Sequence, residues 1–559
     1  MAFPVVRTAR LLPFALTFGL AAAAPSTVVV ALPPAINVNY LLPILPANDY
    51  INMNFWGFLQ MYKPLIWVDH KVQVDYARSI ASSITTPDGQ HYFVTMNPKW
   101  HWSDGQPVTA RDLLFDLKLL RSIQASNASA YGGWSIGGIP NDIASVKRLS
   151  RFRVEITYNR PYNAKWVILN GMSQLVPLPA QAWDRYPGHP AKTLAYLQSH
   201  GDAAAFFAKS PVDGPFKVLR SRLDHGVLFQ ANAAYDGHRP DYQRLDLRYF
   251  TSSDAEFAAL KTGQVQVGYV PFHLYAQRHI PGYRSAFFSS WGITFIELNY
   301  KNPATRAFHD PLVRQALQMA IDQPGYIKAF YSSQAIPQYG PVPYQPPTYL
   351  SPRLSSGYVP YPYDPAAGKA LLIKDGWSLS HGVMTKGKQQ LDFTLDYASG
   401  SLSNQQVAEA FAEAAAREGV RIHLKPQPFD TIFGNLGSAT AWQMAFYGNG
   451  WTYLPDFYPS NGGLFGTGGG SNLQGFSDPA IDRLIAKTHA YLPASQSALA
   501  LSRYQDALAR AVPDLWLPEA AGAWTGATGA VTEYSKALHG VRAHLNPTGV
   551  ISPQYWSLR

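Results

Sequence analysis

Residues 77–112 read ARSIASSITTPDGQHYFVTMNPKWHWSDGQPVTARD and carry a dense series of local structural signals. The PDG at 87–89 is a turn signal, and the aromatic and β-branched YFVTM at 92–96 is typical of a strand. A second turn signal, SDG at 103–105, comes shortly before Thr109, whose side chain can cap the amides at a helix N-terminus. Leucines then recur at helical spacing. The stretch therefore predicts a hairpin, a turn and a capped helix.

The same kinds of signal extend outward along the chain. Strands are predicted at 27–32, 216–219, 245–250 and 265–267, and a helix at 255–260. Strands interleaved with helices favour α/β lobes. Proline and tyrosine are frequent in 301–365, which predicts ordered surface loops there.

Length and composition indicate a large globular protein. The 559 residues suggest about three or four domains at roughly 150 residues each. An apolar fraction of 47% with only 15% charged residues fits a substantial core and excludes a disordered chain. Aromatic residues make up 13% of the chain, which is compatible with a ligand cavity walled by Tyr and Trp.

The charge balance and the absence of cysteine exclude several classes of partner and site. The formal charge is 46 − 36 = +10, but the basic residues are spread along the chain and form no nucleic-acid motif, so no nucleic-acid partner is expected. Without cysteine there is no disulfide, no thiolate metal site and no cysteine nucleophile. A lipid-anchoring cysteine is also absent, so an exported form would be released without a lipid anchor.

The N-terminus resembles an export signal. Arg7 and Arg10 precede the apolar run Leu11–Ala24, which ends in small residues suited to cleavage. This run is shorter than the roughly 20 residues that a membrane span needs. Residues 1–24 are therefore predicted to be a signal peptide cleaved near Ala24, and the expected location is the periplasm. A retained N-terminal anchor is the alternative.

No catalytic or metal-binding motif is present. The sequence contains no HExxH pair, no GxSxG elbow, no Walker A loop and no dinucleotide fingerprint. The two Asp–Gly pairs in 77–112 are typical of turns rather than of catalytic acids. No catalytic residue, metal ligand or cofactor is therefore predicted. Catalytic groups can lie far apart in sequence, so an exported hydrolase stays open as an alternative.

The stretch at 77–112 resembles the extracellular solute-binding proteins of family 5, which are the dipeptide-, oligopeptide- and nickel-binding components of ABC importers. Its two DG turns, its aromatic strand and the PVTARD at 107–112 follow that family's signature. Further similar blocks occur in the family's order: PVDGPF at 211–216, NAAYDGHRP at 232–240, DPLVRQA at 310–316, AID at 320–322, YDP at 363–365 and FSDP at 476–479.

The resemblance implies an α/β fold of the type II periplasmic binding-protein kind. Two lobes are joined by hinge strands, an extra domain is inserted in the first lobe, and the ligand is enclosed between the lobes. The resemblance implies that the chain is divided into five segments: lobe one comprises 25–63, 178–290 and 516–559, the inserted domain comprises 64–177, and lobe two comprises 291–515.

The resemblance also implies a function and partners. The expected protein is a monomer, not an enzyme, that captures a peptide or peptide-like ligand and delivers it to the permease subunits of an ABC importer. A second interpretation keeps the fold but gives it a non-peptide solute, such as an oligosaccharide or a nickel chelate.

The candidate ligand contacts come from the same resemblance. The YGNGW at 447–451 matches a strand end that faces the cleft, and its Trp lines the pocket. The candidates are Tyr447, Asn449, Trp451, Tyr453 and Asp456 from lobe two, and Asn48, Asp49, Tyr50 and Asn52 from lobe one.

One position departs from the pattern of the peptide-binding relatives. These relatives carry an Asp three residues after the Trp, where it pairs with the ligand's α-ammonium, and this chain has Leu454 there. Asp456 lies two residues further on and is the candidate substitute. If Asp456 does not take this role, a blocked or modified peptide or an oligosaccharide becomes the better expectation.

Overall fold

The computed structural model describes residues 26–286, 291–448, 450–520, 531–541 and 548–558. The predicted signal peptide and Asn449 lie outside these ranges.

The first lobe is built on a seven-stranded sheet. Its strands, in spatial order, are Tyr283–Ala286, Val531–Ser535, Val267–Val270, Thr27–Ala31, Arg244–Arg248, Gly226–Ala231 and Phe216–Arg222. Thr27–Ala31 runs parallel to both of its neighbours. Its β-branched run is almost fully buried, as expected of a parallel strand covered on both faces. The strand predicted at 27–32 is confirmed.

The second lobe is built on a six-stranded sheet. Its strands are Arg421–Gln427, Asp392–Ala398, Met444–Phe446, Gly292–Leu298 and Trp451–Thr452 in that order, with Leu515–Leu517 also paired to Gly292–Leu298. Gly292–Leu298 is buried along its whole length and pairs antiparallel with three different strands. It is therefore the centre of this lobe.

The stretch at 77–112 forms part of a separate four-stranded sheet. Its strands, in order, are Ala81–Thr85, His91–Met96, Arg153–Tyr158 and Ile143–Ser150. The predicted hairpin and capped helix are confirmed. The Thr109 hydroxyl accepts from the Arg111 amide at 3.3 Å, and Asp112 Oδ2 accepts from the Thr109 amide at 2.8 Å, which starts the helix Ala110–Leu120.

The remaining strands form small local pairings, and helices surround the sheets. These strands are Trp67–Val68 with Val74–Asp75, Ala335–Ile336 with Glu519–Ala520, the trio Ser378–Ser380, Val383–Lys386 and Gln389–Gln390, and Leu538–His539 with Ser557–Leu558. The α-helices are Asn52–Phe58, Ala110–Leu120, Ala164–Trp166, Ala180–Trp183, Pro190–Gln198, Ala204–Lys209, Ser253–Lys261, Pro311–Met319, Gln323–Ala329, Pro352–Ser355, Pro365–Lys374, Leu402–Glu418, Phe429–Asn435, Gly462–Phe465, Pro479–His489 and Ala494–Ala511.

The prediction of surface loops throughout 301–365 was wrong in part. Helices occupy Pro311–Met319 and Gln323–Ala329, each begun by an aspartate cap followed by proline in the first turn. Proline is tolerated there because its missing N–H has no partner within the helix. Composition alone therefore suggested loops where proline in fact begins helices. The strand predicted at 265–267 lies slightly later, at Val267–Val270.

The three larger sheets draw on different parts of the chain. We propose the division of the chain into lobe one, the inserted domain and lobe two that the resemblance implies. Sheet membership supports it, because within the described ranges each larger sheet takes its strands from one of these units, apart from Leu515–Leu517, which straddles the boundary at 515/516.

Candidate ligand-binding site

A cavity of about 60 Å³ lies between lobe one and lobe two. It has room for a few water molecules. Lobe one contributes Ala47, Tyr50, Ile51, Asn52 and Phe55, and lobe two contributes Glu297, Phe429, Phe433, Leu436, Tyr447, Gly450, Trp451, Thr452, Leu454, Leu464, Ser471 and Leu473. The two lobes are thus closed over a mainly aromatic and aliphatic space.

Buried Asn54 positions the lobe-one wall. Its side-chain oxygen accepts from the amides of Asn39 and Tyr40 at 3.0 and 3.1 Å. Its side-chain nitrogen donates to the Asp49 carbonyl at 2.8 Å. These bonds hold together the loop before the helix Asn52–Phe58, and this loop carries Tyr50 into the cleft.

Strand pairing and a glycine position the lobe-two wall. The Gly450 amide donates to the Ile293 carbonyl at 3.0 Å. A Cβ at position 450 would lie 2.3 Å from the Phe295 ring, so a larger residue would push the strand away. The position of Trp451 beside the central strand Gly292–Leu298 is therefore fixed. Its ring stacks on Tyr50 of lobe one, with centroids 6.1 Å apart.

Several polar atoms of the lining lack partners among the described residues. These buried atoms are Tyr50 Oη, Asn52 Oδ1 and Trp451 Nε1. A buried polar atom without a hydrogen bond costs about 1–3 kcal/mol. The three atoms offer a hydroxyl, an acceptor and a donor, so a bound molecule with its own polar groups could satisfy all of them.

The remaining predicted contacts are placed differently. Tyr50, Asn52, Tyr447 and Trp451 line the cavity. Tyr453 is buried behind it, where its hydroxyl donates to the Pro341 carbonyl. Asn449 lies outside the described residues.

Asn48 and Asp49 stand at the rim of the cleft. Asn48 is exposed, and its side-chain nitrogen donates across the cleft to the Gly434 carbonyl at 3.3 Å. Burial, and then the negative charge of Asp49, raise the pKa of Asp430 to about 6. These two predicted residues therefore interact with lobe two at the edge of the cleft and do not line the cavity.

Asp456 faces the inserted domain, whereas Leu454 faces the cavity. Asp456 Oδ1 accepts from Asn170 Nδ2. Asn170 also donates to the Tyr458 carbonyl at 2.8 Å and accepts from the Tyr458 amide at 2.6 Å. The Ser173 hydroxyl donates to the Pro455 carbonyl at 2.8 Å. We call these bonds, from Asn170 and Ser173 to residues 455–458, the inserted-domain contact.

The acid that does line the cavity is Glu297, which sequence reasoning missed. It lies in the central strand of lobe two and is 2% exposed. Its Oε2 accepts from the Tyr447 hydroxyl at 2.9 Å. Burial raises its pKa to about 7, against the opposing effects of Tyr447 and Lys301. One signal was available in the sequence: a single glutamate inside the apolar run GITFIEL, where unpaired acids are rare.

A smaller cavity of about 30 Å³ adjoins the main one. Phe55 and Leu454 belong to the walls of both. The smaller cavity is lined mainly by apolar residues of lobe one and the inserted domain, among them Phe58, Ile66 and Val176. Leu454 thus forms part of an apolar wall between the two spaces.

Comparison with known proteins establishes the family. The model of the bacterial extracellular solute-binding proteins, family 5 (middle), matches residues 75–471, and the chain belongs to this family. An ABC transporter peptide-binding protein of Brucella ovis is 27% identical over 471 residues, covering 81% of this chain and 80% of the relative. The nickel-binding periplasmic protein of Escherichia coli is 24% identical over 434 residues, covering 74% and 75%.

A solved structure agrees with the fold. The oligopeptide-binding protein AppA from Bacillus subtilis, in complex with a nonapeptide, has a TM-score of 0.78 at 18% identity and covers 96% of this chain and 100% of its own. The two-lobed α/β fold expected from the sequence is confirmed.

Within the described ranges, no helix is both long and apolar enough to cross a bilayer. The same residues contain no group of three or more His, Asp or Glu side chains arranged to hold a metal ion.

Proposed function

We propose that this protein is an exported solute-binding protein that encloses a peptide or peptide-like ligand between its lobes and delivers it to the permease subunits of an ABC importer. One observation carries the proposal: in a member of family 5, the cavity between the lobes has aromatic walls and unpartnered hydrogen-bonding atoms contributed by both lobes. The named peptide-binding relative and the nonapeptide complex support a peptide as the ligand.

The protein acts in this proposal by binding and release, without turnover. It works as a monomer in the periplasm after cleavage of residues 1–24 near Ala24. A di- or tripeptide is larger than the cavity of about 60 Å³, so the lobes must separate for the ligand to enter and must close less tightly around it. Hinge motion of this kind couples occupancy to the shape that a permease can recognise.

Thermal unfolding of the chain from residue 25 tests the proposal. Di- to pentapeptides are the probes, with oligosaccharides and a nickel–histidine chelate as controls. A ligand at 100 times its Kd stabilises the folded protein by about 2.7 kcal/mol. We expect peptides to raise the Tm and to be recovered intact by mass spectrometry. A shift with the controls alone would contradict a peptide ligand, and cleaved peptide would contradict a binding role.

A further inference from the structure

The lining of the main cavity contains an acidic side chain but no basic one among the described residues. Glu297 is the single acidic residue of the lining, and no Lys, Arg or His lines it among the described residues. Six aromatic side chains surround the space: Tyr50, Phe55, Phe429, Phe433, Tyr447 and Trp451. Aromatic faces attract cations, and a carboxylate pairs strongly with an ammonium group in a dry site. The lining therefore suits a positively charged group.

Glu297 has no such group paired with it among the described residues. None of the ion pairs between described residues includes it. The charge of Lys301 lowers the pKa of Glu297, but the Lys301 ammonium donates to the Gly437 carbonyl at 3.3 Å. A second buried acid, Asp514, lies close enough for the charge of Glu297 to raise its pKa. An ionised Glu297 is thus stabilised only by the Tyr447 hydroxyl and by the charge of Lys301, with no ion pair among the described residues, and burying an unpaired charge is costly.

Tyr447 holds the Glu297 carboxyl at the cavity wall. Its hydroxyl donates to Glu297 at 2.9 Å. Its ring is packed edge-on by Phe295, Phe429 and Phe433, with centroids 5.9–6.4 Å apart. The tyrosine is therefore fixed by three rings, and the carboxyl oxygen that it contacts has a defined position.

The unpartnered atoms of the same wall give an independent indication of a ligand. Tyr50 and Trp451 are each more than nine-tenths buried, line the cavity, and have no partner for Oη and Nε1 among the described residues. A ligand that places a cation at Glu297 would bring further polar groups within reach of these two atoms.

We propose that Glu297 is the counter-ion for an ammonium group of the ligand, in the role that the resemblance assigns to an acid at position 454. This inference rests on the proposed function. Glu297 lies in the strand Gly292–Leu298, which pairs with the chain on both sides of the turn at 447–450. Glu297 itself pairs with Ala445 before the turn, and Ile293 pairs with Trp451 after it. The acid is thus supplied by the neighbouring strand, while Leu454 supplies apolar surface.

Glu519 offers a matched control for Glu297. Both are buried glutamates whose pKa is raised to about 7 by burial and lowered by a hydroxyl donor. The donor to Glu519 is Thr294, on the same central strand as Glu297. Glu519 does not line the cavity. Glu519→Gln should therefore reproduce the structural effect of Glu297→Gln without changing ligand binding.

The experiment measures binding to the full mature chain by native mass spectrometry and thermal shift. The probes are an equimolar tripeptide mixture, the same mixture N-acetylated, and 1,5-diaminopentane. We expect the wild type and Glu519→Gln to bind free tripeptides at least tenfold more tightly than acetylated ones. Glu297→Gln should bind the free mixture at least tenfold more weakly and should not discriminate against acetylation. Competition by the diamine would identify any amine, rather than the peptide N-terminus, as the group recognised.

Other outcomes overturn the inference. Equal binding of free and acetylated mixtures by the wild type, or unchanged affinity in Glu297→Gln, would refute it and leave the peptide function standing. If the wild type binds no tripeptide and no di- to pentapeptide raises its Tm, the peptide function fails, and the counter-ion role survives only if the diamine binds the wild type and not Glu297→Gln. If Glu297→Gln does not fold, Glu297→Asp takes its place, and loss of discrimination in that charged variant would count against the inference.

Discussion

Two contacts close this protein, and they differ in how many direct hydrogen bonds the protein itself forms across them. At the inserted-domain contact, the Asn170 amide makes bonds in both directions to Tyr458 and one to Asp456. At the cavity between the lobes, Tyr50 and Trp451 keep buried atoms without partners among the described residues. Asn170 therefore has its hydrogen bonds satisfied within the protein, although Asp456 Oδ2 is buried without a partner among the described residues. The cavity instead has unpartnered atoms on both lobes, which a ligand could satisfy.

This difference separates closure from recognition. A buried hydrogen-bonded contact stabilises the closed arrangement by itself, and an unsatisfied buried group lowers stability until a ligand supplies the missing bond. Two acids of lobe two illustrate the point: Asp456 belongs to the first contact and Glu297 to the second. Substitutions should therefore affect closure and recognition separately.

The largest effect is expected at Trp451. Trp451→Ala removes the ring that stacks on Tyr50 and the unpartnered Nε1. Loss of a central aromatic contact should weaken binding by about 2–4 kcal/mol, roughly 30- to 1,000-fold in Kd. Calorimetric titration with the peptide that gives the largest thermal shift measures this change. Trp451→Phe keeps the ring and should lose less, and unchanged affinity in Trp451→Ala would place the ligand elsewhere.

Affinity for a cationic ligand should fall with acidification. The pKa of Glu297 in the ligand-free protein is raised to about 7, and an ammonium ligand binds the ionised form, so binding releases a proton below pH 7. Between pH 7.5 and 5.5 the affinity should fall roughly 25-fold. The titratable groups that interact with this carboxyl are Tyr447 through its hydroxyl and Lys301 and Asp514 through their charges. Titrations at both pH values test the expectation, with Glu297→Gln as the variant that should lose the dependence.

The raised pKa of Glu297 affects the stability of the ligand-free protein in the opposite direction: ligand affinity rises with pH, whereas stability falls. The folded state keeps the Glu297 proton up to a pKa of about 7, whereas the unfolded state loses it near the ordinary value of 4.5. Between these values the folded state binds more protons, so this group lowers the free energy of unfolding as pH rises. Chemical denaturation at pH 5 and 7 should show a smaller decline in Glu297→Gln than in the wild type.

Breaking the inserted-domain contact should weaken closure without changing selectivity. Asn170→Ala leaves the Tyr458 backbone groups unpaired, at a cost of about 1–3 kcal/mol to the closed form. We expect affinity to fall roughly tenfold, with the preference for free over acetylated peptide retained. Small-angle X-ray scattering should show a larger radius of gyration. A change in selectivity would contradict the separation of closure from recognition.

Asn37 provides the control for this substitution. It is buried and also makes three side-chain hydrogen bonds, all within lobe one: it donates to the carbonyls of Arg222 and Leu223 and accepts from the Val38 amide. Asn37→Ala should therefore lower the Tm by a similar amount while leaving the radius of gyration and the affinity unchanged.

The smallest effect tests whether an acid at position 454 can replace Glu297. In a Glu297→Gln background, Leu454→Asp puts a carboxylate on the same cavity wall. We expect affinity for free tripeptides to recover by a few-fold, about 1 kcal/mol, because the new acid also disrupts the apolar wall shared with the smaller cavity. Leu454→Asn should give no recovery. Recovery with both variants would show that charge is not the property restored.

The accuracy of the sequence-based predictions depended on the range of the interactions involved. The hairpin and the Thr109 cap were predicted correctly because turn residues, alternation and capping act over a few positions. Tyr50, Asn52, Tyr447 and Trp451 were placed at the cavity through the family resemblance, and the structure brings them together there. Their role as ligand contacts stays a prediction.

The sequence alone does not report the direction in which the Asp456 side chain points. Asp456 follows Leu454 by only two residues. The loop turns that carboxylate toward Asn170 of the inserted domain, some 286 positions away in the chain. No local pattern reports such a direction, because it depends on which distant segment packs against the loop.

By itself, the sequence determined the family, the α/β class and the local elements, since these depend on residue types at short and fixed spacings. Only the tertiary structure decided which acid faces the cavity. Glu297 stands there because its strand lies between Met444–Phe446 and Trp451–Thr452 in the lobe-two sheet. The order of strands in a sheet comes from long-range packing, and it brings a glutamate from one apolar run beside aromatic residues more than a hundred positions away.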